Sequence, residues 1–279
     1  MASRLRGNGI LEEFLKHTQE SFNKIADNFD EQDRSNPIIH WMRDIVHRIY
    51  LKYFKSGDSL LELNAGTGID AIFLAERGIN IYTTDLSPKM QSYLNEKLIS
   101  RKDLQDKITV RPFSFHEIDK VDKYNFDGVI SNFGGLNCIN DFSKLRDDLS
   151  DKTKPGGLFI AAVINKICPW EILYFTLKLD FKKAFRRFNK EGIDGAIDDQ
   201  FVKTFYFSPK EFAFRFYPDF KIKKVYALGL YTPSPYLQVL YNKIKPLIKL
   251  WMFIDNIVKG IFPFNRFGDH FIIVMERKQ

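Results

Sequence analysis

Five short apolar runs between Asp58 and Ile164 constrain this 279-residue chain more than any other feature. They fall at Ser59–Leu63, Asn80–Thr84, 107–111, Phe126–Ser131 and 158–164. Helical patterns at 69–77, 88–100 and 141–151 lie between them. Gly78 stops the first helix, and Ser87-Pro88 caps the second. Strands alternating with helices predict a parallel, doubly wound α/β sheet. A sixth strand is expected at 220–230 and a final one at 270–276, giving a mostly parallel seven-stranded sheet.

Two helices precede the sheet. Leu11, Phe14, Leu15, Phe22, Ile25, Ala26 and Phe29 recur with a helical period across 10–29. Asn36-Pro37 opens a second helix, with proline at its favoured first position, running through Trp41 and Ile45 to about Tyr53. Beyond the fifth strand, 165–207 mixes apolar and basic stretches. Ser208-Pro209-Lys210-Glu211 is a capping box. Residues 232–267 read as a helical insertion bounded by Pro233, Pro235 and Pro263.

With 44% hydrophobic and 28% charged residues, the chain can bury a core without a disulfide or metal staple. Cys138 and Cys168 fit no zinc or redox spacing and read as reduced thiols. Residues 1–28 are charged throughout and lack the apolar centre of a signal peptide. No run of about 18 uncharged apolar residues exists. The expected setting is therefore cytoplasmic. The net charge of +7 suits a solvated basic surface or contact with an acidic partner such as a membrane. Aromatic residues reach 15%, with 27 Phe.

The chemistry is concentrated in Leu60-Leu61-Glu62-Leu63-Asn64-Ala65-Gly66-Thr67-Gly68-Ile69-Asp70, where a strand runs through a glycine-rich turn into a helix. Gly66 and Gly68 allow a tight turn and close approach of a ligand. The amides that follow favour an anionic group. Asp85 ends the second strand, where a carboxylate can accept both hydroxyls of a ribose. Together these indicate a nucleoside-containing cofactor. Gly66 to Ala71 also satisfies the dinucleotide pattern G-x-G-x-x-G/A, so a nicotinamide-dependent oxidoreductase is the alternative. Glu62 inside the strand, the wider turn at Asn64-Ala65 and the strand–insertion–strand ending speak against it.

In these residues the sequence resembles class I S-adenosylmethionine-dependent methyltransferases of the small-molecule type. Residues 62–68 look like their first motif and Tyr82-Thr83-Thr84-Asp85-Leu86-Ser87 to Met90 like their second. Residues 126–132 look like their fourth strand, and Lys154-Pro155-Gly156-Gly157-Leu158-Phe159 like the start of their fifth. Asn64 stands where the family usually has glycine, and asparagine tolerates a left-handed backbone. Phe113-Ser114-Phe115 stands where many members carry an acid facing the adenine.

The resemblance implies a Rossmann-like methyltransferase fold with an antiparallel last strand and helical cap insertions. Residues 1–54 would be helices covering the cofactor site, and 55–164 the cofactor-binding core. Residues 165–207 would form a cap insertion, and 208–279 the final strands around the 232–267 insertion. Asn64, Ala65, Gly66 and Gly68 would cradle the methionine part of S-adenosylmethionine. Glu62 would hold its ammonium, Arg43 its carboxylate, and the Asn132 carbonyl would lie beside the amine. Asp85 would take the ribose, Leu86 and Met90 would flank adenine, and Ser114 and Phe115 would lie at the adenine edge. No metal is implied. His270, at the start of the last strand, and His40, beside Trp41, are the candidates for a general base.

Such a chain would methylate a small acceptor, apolar or aromatic given the rings of 165–207 and 232–267, which should wall the acceptor site. The residues themselves do not exclude a methyltransferase-like accessory protein without activity. No nucleic-acid module is visible. The alternation of basic pairs and rings at 182–188, with Lys243, Lys245, Lys249 and Lys259, also suits peripheral contact with an anionic membrane.

Overall fold

The computed structural model describes residues 2–197 and 200–279, with side chains described for 12–195 and 202–279. Nine strands occur among the described residues: β1 (Ser59–Leu63), β2 (Asn80–Thr84), β3 (Ile108–Arg111), β4 (Phe126–Ser131), β5 (Thr153–Ile164), β6 (Ile193–Ile197), β7 (Gln200–Thr204), β8 (Phe220–Leu228) and β9 (His270–Arg277). Seven form one sheet in the order β3-β2-β1-β4-β5-β9-β8. β1 to β5 run parallel, and β9 is antiparallel to both β5 and β8. This is the expected sheet with its reversed last strand. β6 and β7 form a separate antiparallel hairpin.

Helices cover both faces of the sheet. α1 (Ala2–Ser35) is longer than its apolar stripe, and α2 (Pro37–Tyr53) begins at the Asn36 cap. α3 (Ile69–Ala75) and α4 (Pro88–Ser100) follow β1 and β2. Ile45, Val46 and Ile49 of α2 pack with Leu74 of α3, Leu94 of α4 and the strand residues Leu60, Ile130, Ile160 and Ile272. The opposite face is filled largely by phenylalanine. Phe126, Phe142, Phe159, Phe212, Phe216 and Phe271 are all buried there. The Phe159 and Phe216 ring centroids lie 5.0 Å apart, edge to face. Much of the phenylalanine content is thereby spent on this layer.

Two details depart from the sequence reading. Lys154 to Gly157 do not form a free turn, because β5 starts at Thr153 and the register shifts between Phe126 and Gly128 to absorb them. The β6–β7 hairpin was hidden by charge, since Asp194, Lys203 and neighbouring acids obscure the alternation.

The segment after β5 carries α5 (Pro169–Leu177) and α6 (Phe181–Ala184) ahead of the hairpin. Beyond β8, the chain forms α7 (Gln238–Lys243) and α8 (Lys245–Val258). Ile248 and Met252 of α8 join the α2-side core, together with Tyr226 and Leu228 of β8.

Candidate active site

The β1–α3 turn is built on left-handed backbone at Asn64 (φ 48°), Gly66 (φ 56°) and Gly68 (φ 77°). Asn64 turns the departure from glycine into a lock. Its Nδ2 donates to the Asn132 carbonyl at 3.1 Å, and its Oδ1 accepts from Ser131 Oγ at 2.6 Å. Gly135 must be glycine to make room, since a Cβ there would come within 2.3 Å of the Asn64 side chain. The two glycines of the turn differ in purpose. Gly66 faces a cavity, whereas a Cβ on Gly68 would strike Leu94 at 2.2 Å, so Gly68 serves helix packing.

The cavity, of about 220 Å³, lies between this turn and α1. Arg43, Asn64, Ala65, Gly66, Asp85, Leu86, Met90, Ser114, Phe115 and Asn132 all line it. These are the candidate cofactor residues apart from Glu62 and Gly68. α1 supplies Phe14, Leu15, Thr18, Phe22, Ile25 and Phe29, one helical face. Phe29 lies against Gly66; Phe14 stands at the far end, about 22 Å along the helix at 1.5 Å per residue. Phe14, Cys138 and Ile139 also line an adjoining open cleft of about 870 Å³, with His17, His116, Asp141 and Asp194. The stripe on α1 was legible in the sequence, but its role as a wall was not. Val202 and Thr204 of the hairpin were missed, since their element was not visible.

Polar contacts fasten α1 over the turn. Asp30 accepts from Thr67 Oγ1 at 2.5 Å and pairs with Lys97 at 2.6 Å. Asn23 accepts from Ser87 Oγ at 2.6 Å. Asp33 pairs with Arg43 at 2.5 Å.

Asp85 accepts from the Gly66 amide at 2.7 Å through Oδ2 and from the Ser87 amide at 2.7 Å through Oδ1. Burial raises its pKa, opposed by these amides. Arg43 is buried among Asp33, Asp70 and the Phe133 ring, whose centroid is 4.6 Å from the guanidinium carbon. Burial alone would raise the Asp70 carboxyl, but Arg43 and His47 hold it well below the usual carboxylate range. Asp70 Oδ2 also accepts from Asn132 Nδ2 at 2.7 Å. The Asn132 carbonyl, expected beside a ligand amine, accepts from Asn64 and keeps a second lone pair. Burial, followed by the nearby Asp70 charge, pushes the Glu62 carboxyl well above its ordinary value. Glu62 Oε2 and Tyr50 Oη are both buried without a hydrogen-bond partner.

The histidine candidates do not reach the cavity. His40 is exposed on the outer side of α2 and lies 3.9 Å from Asp44. His270 is buried with Nδ1 on Asp269 at 2.8 Å, and its ring meets the edge of Phe133, which itself lines the cavity. Among the described residues, the 232–267 insertion, expected to wall the acceptor site, lines neither cavity nor cleft, because its inner face is spent on α2 and β8. Of 165–207, the hairpin contributes, but Trp170 and Tyr174 do not. Cys168, Glu171 and Asp269 converge closely enough to hold a metal, but the Arg187 guanidinium supplies the cation there.

A family model described as a methyltransferase domain matches residues 31–194. Over 159 residues the chain is 25% identical to demethylmenaquinone methyltransferase of Symbiobacterium thermophilum, covering 56% of this chain and 62% of that protein. The chain spans less than two thirds of the length of the curated relatives it matches. Among solved structures, an S-adenosylmethionine-dependent methyltransferase from Clostridium acetobutylicum superposes with a TM-score of 0.56 at 13% identity, covering 92% of this chain and 99% of that one. Geranyl diphosphate C-methyltransferase from Streptomyces coelicolor superposes at 0.54 and 13% identity, covering 86% of this chain and 80% of that one. These superpositions speak for the fold. The family match takes in more than half of the chain and includes the glycine turn, Asp85 and Asn132; the chain belongs to the class I S-adenosylmethionine-dependent methyltransferases.

Proposed function

We propose that this chain transfers a methyl group from S-adenosylmethionine to a small, apolar or aromatic acceptor. The residues present fit the cofactor. Asp85 keeps lone pairs beyond its two amide bonds for the ribose hydroxyls. Leu86 and Met90 offer apolar contact for adenine, with Ser114 and Phe115 at its edge. Glu62 does not line the cavity, but its buried Oε2 has no partner, and an ammonium would satisfy it, directly or through water. Arg43 has three of its five donors on Asp33 and Asp70 and borders the cavity, which leaves two for a carboxylate.

When bound, S-adenosylmethionine supplies an activated methyl group on a sulfonium. The chain's own work is then to hold the acceptor in line and to exclude water. Positioning of that kind is worth about 7–11 kcal/mol in favourable cases. No histidine lines the cavity among the described residues. That favours an acceptor whose proton needs no dedicated base.

One observation carries the acceptor class. Away from the glycine turn the cavity is walled by Phe14, Leu15, Phe22, Ile139, Ile164 and Val202. The relatives and neighbours whose names print an acceptor divide, with demethylmenaquinone and geranyl diphosphate on one side and glycine and sarcosine or dimethylglycine on the other, and the apolar wall speaks for the first pair. The test is methyl transfer to a panel of quinols, isoprenoids and water-soluble amines, with Phe14→Asp as the variant. Phe14 lies far from the turn, so Phe14→Asp should keep S-adenosylhomocysteine affinity within about twofold while turnover of apolar acceptors falls at least about tenfold. Preferred turnover of a charged amine, or an unchanged rate in the variant, would refute the acceptor class.

A further inference from the structure

Most of the large hydrophobic side chains exposed among the described residues belong to 170–190 and 231–264, segments outside the catalytic cavity. α8 shows the pattern most clearly. Its inner face buries Ile248, Met252 and Asp255. Its outer face should therefore be polar, yet it carries Leu247, Leu250, Phe253 and Ile257, exposed by 42%, 52%, 62% and 57%. At spacings of three and four residues these four form one stripe. A contiguous exposed apolar stripe of this kind marks a surface that meets a partner or a membrane.

The stripe does not stop at α8. Trp251 packs on Trp170 of α5 with ring centroids 5.1 Å apart. From Trp170 the exposed Leu173 and Leu177 continue the apolar surface along α5. Phe181 and Phe185 extend it, exposed by 55% and 51%.

The charges on this surface are nearly all of one sign. Between 231 and 267 the basic residues are Lys243, Lys245, Lys249, Lys259 and Arg266, and the sole acid is Asp255. Asp255 is buried and spent on the Tyr231 and Thr232 amides, both at 2.9 Å. Around α5 and α6, Lys178 and Lys182 add cations, while Lys183 pairs with Asp180 at 3.3 Å and Arg186 and Arg187 both pair with the buried Glu171. A second copy of this surface would bring lysines against lysines. An apolar stripe edged by cations, with no exposed anion on α8, instead matches the boundary of an anionic bilayer, where apolar side chains enter the acyl region and lysines meet the headgroups. No helix among the described residues is long and apolar enough to cross a membrane.

We propose that α5, α6 and α8 form a docking surface that seats the protein on an anionic lipid bilayer. This rests on surface exposure and charge and is independent of the acceptor class. The test is co-sedimentation of the full chain with phosphatidylglycerol–phosphatidylcholine vesicles and with phosphatidylcholine vesicles alone. The expected result is binding to the anionic vesicles that weakens as salt rises. Leu250→Glu/Phe253→Glu should cut the partition coefficient at least about tenfold, with circular dichroism and S-adenosylhomocysteine affinity unchanged. Both positions are exposed and outside the cavity, so neither control should move. Absence of binding to anionic vesicles, or equal binding by the double variant, would overturn the proposal. So would a wild-type dimer that ignores vesicles and becomes monomeric in the double variant, because a second copy would then be the occupant.

Discussion

Two buried arginines hold this protein together, and they do so to different ends. Arg43 and Arg187 each sit between two carboxylates, with a histidine on one of them. Arg187 donates to Glu171, Asp269, the Asn165 carbonyl and the Asp269 carbonyl, using all five of its N–H groups. Ser234 adds a bond to Asp269 at 2.6 Å. This saturated node pins α5, the 232–267 insertion and the start of β9 to one another. Arg43 joins α1, α2 and α3 in the same manner, but it borders the cavity and has donors to spare. Arg187 is saturated and so structural, whereas Arg43 keeps two donors for the carboxylate proposed above.

The largest effects should come from breaking the nodes. Removing one partner of a buried ion pair typically costs about 3–5 kcal/mol, because the remaining charges are left unpaired. Both Arg43→Met and Arg187→Met should lose stability of that order in urea unfolding. Only Arg43→Met should also lose S-adenosylhomocysteine affinity. Arg43→Lys keeps the charge without the planar fork, so it should recover part of the stability and little of the binding. If Arg187→Met weakened binding as much as Arg43→Met, the division between the nodes would fail.

Glu62 sharpens the contrast, because it is a buried carboxyl with no node at all. Its pKa is raised in the folded protein, so the folded state keeps a proton that the unfolded chain has lost above its ordinary value near 4.5. Stability must then fall as pH rises from that value through the raised pKa, by up to roughly 1.4 kcal/mol per pH unit. Glu62→Gln should abolish that slope and raise the melting temperature at neutral pH. The same change should weaken S-adenosylhomocysteine binding, since an ammonium would lose its counter-charge. Calorimetry in buffers of different ionisation enthalpy should show proton release on binding for the wild type and none for Glu62→Gln. A variant that is destabilised across this pH range would contradict the assignment.

Phe133 should give the smallest effect. It stacks on Arg43 and meets His270 edge-on at 6.0 Å between ring centroids, so it touches both nodes. Phe133→Leu should cost about 0.5–2 kcal/mol through the lost cation–π contact. In double-mutant cycles its coupling should be larger with Arg43→Met than with Arg187→Met.

The sequence revealed elements whose periodicity is undisturbed. The five parallel strands, the α1 stripe and the Asn36-Pro37 cap were all legible because local pattern and tertiary role coincide there. The β6–β7 hairpin was not, since acids and a lysine interrupt its alternation. The cofactor turn was legible residue by residue, as its chemistry lies in consecutive positions. Neither arginine node was legible as a node: Asp33, Arg43 and Asp70 are separated by a helix and a strand, and Glu171, Arg187 and Asp269 by about a hundred residues. The aromatics of 232–267 misled for a related reason. Composition shows that rings are present, but only the packing of Ile248 and Met252 against α2 shows that their neighbours face outward, away from the cavity.

S-adenosylmethionine is expected to occupy the cavity between α1 and the glycine turn, with its ribose on Asp85. Calorimetric titration of S-adenosylhomocysteine into the wild type and Asp85→Ala tests this most directly. A hydrogen bond to a charged group is worth about 1.5–3 kcal/mol, so Asp85→Ala should bind at least about tenfold more weakly while its circular dichroism spectrum is retained. A folded wild-type protein that takes up no S-adenosylhomocysteine, or an Asp85→Ala variant that binds it with undiminished affinity, would contradict the account.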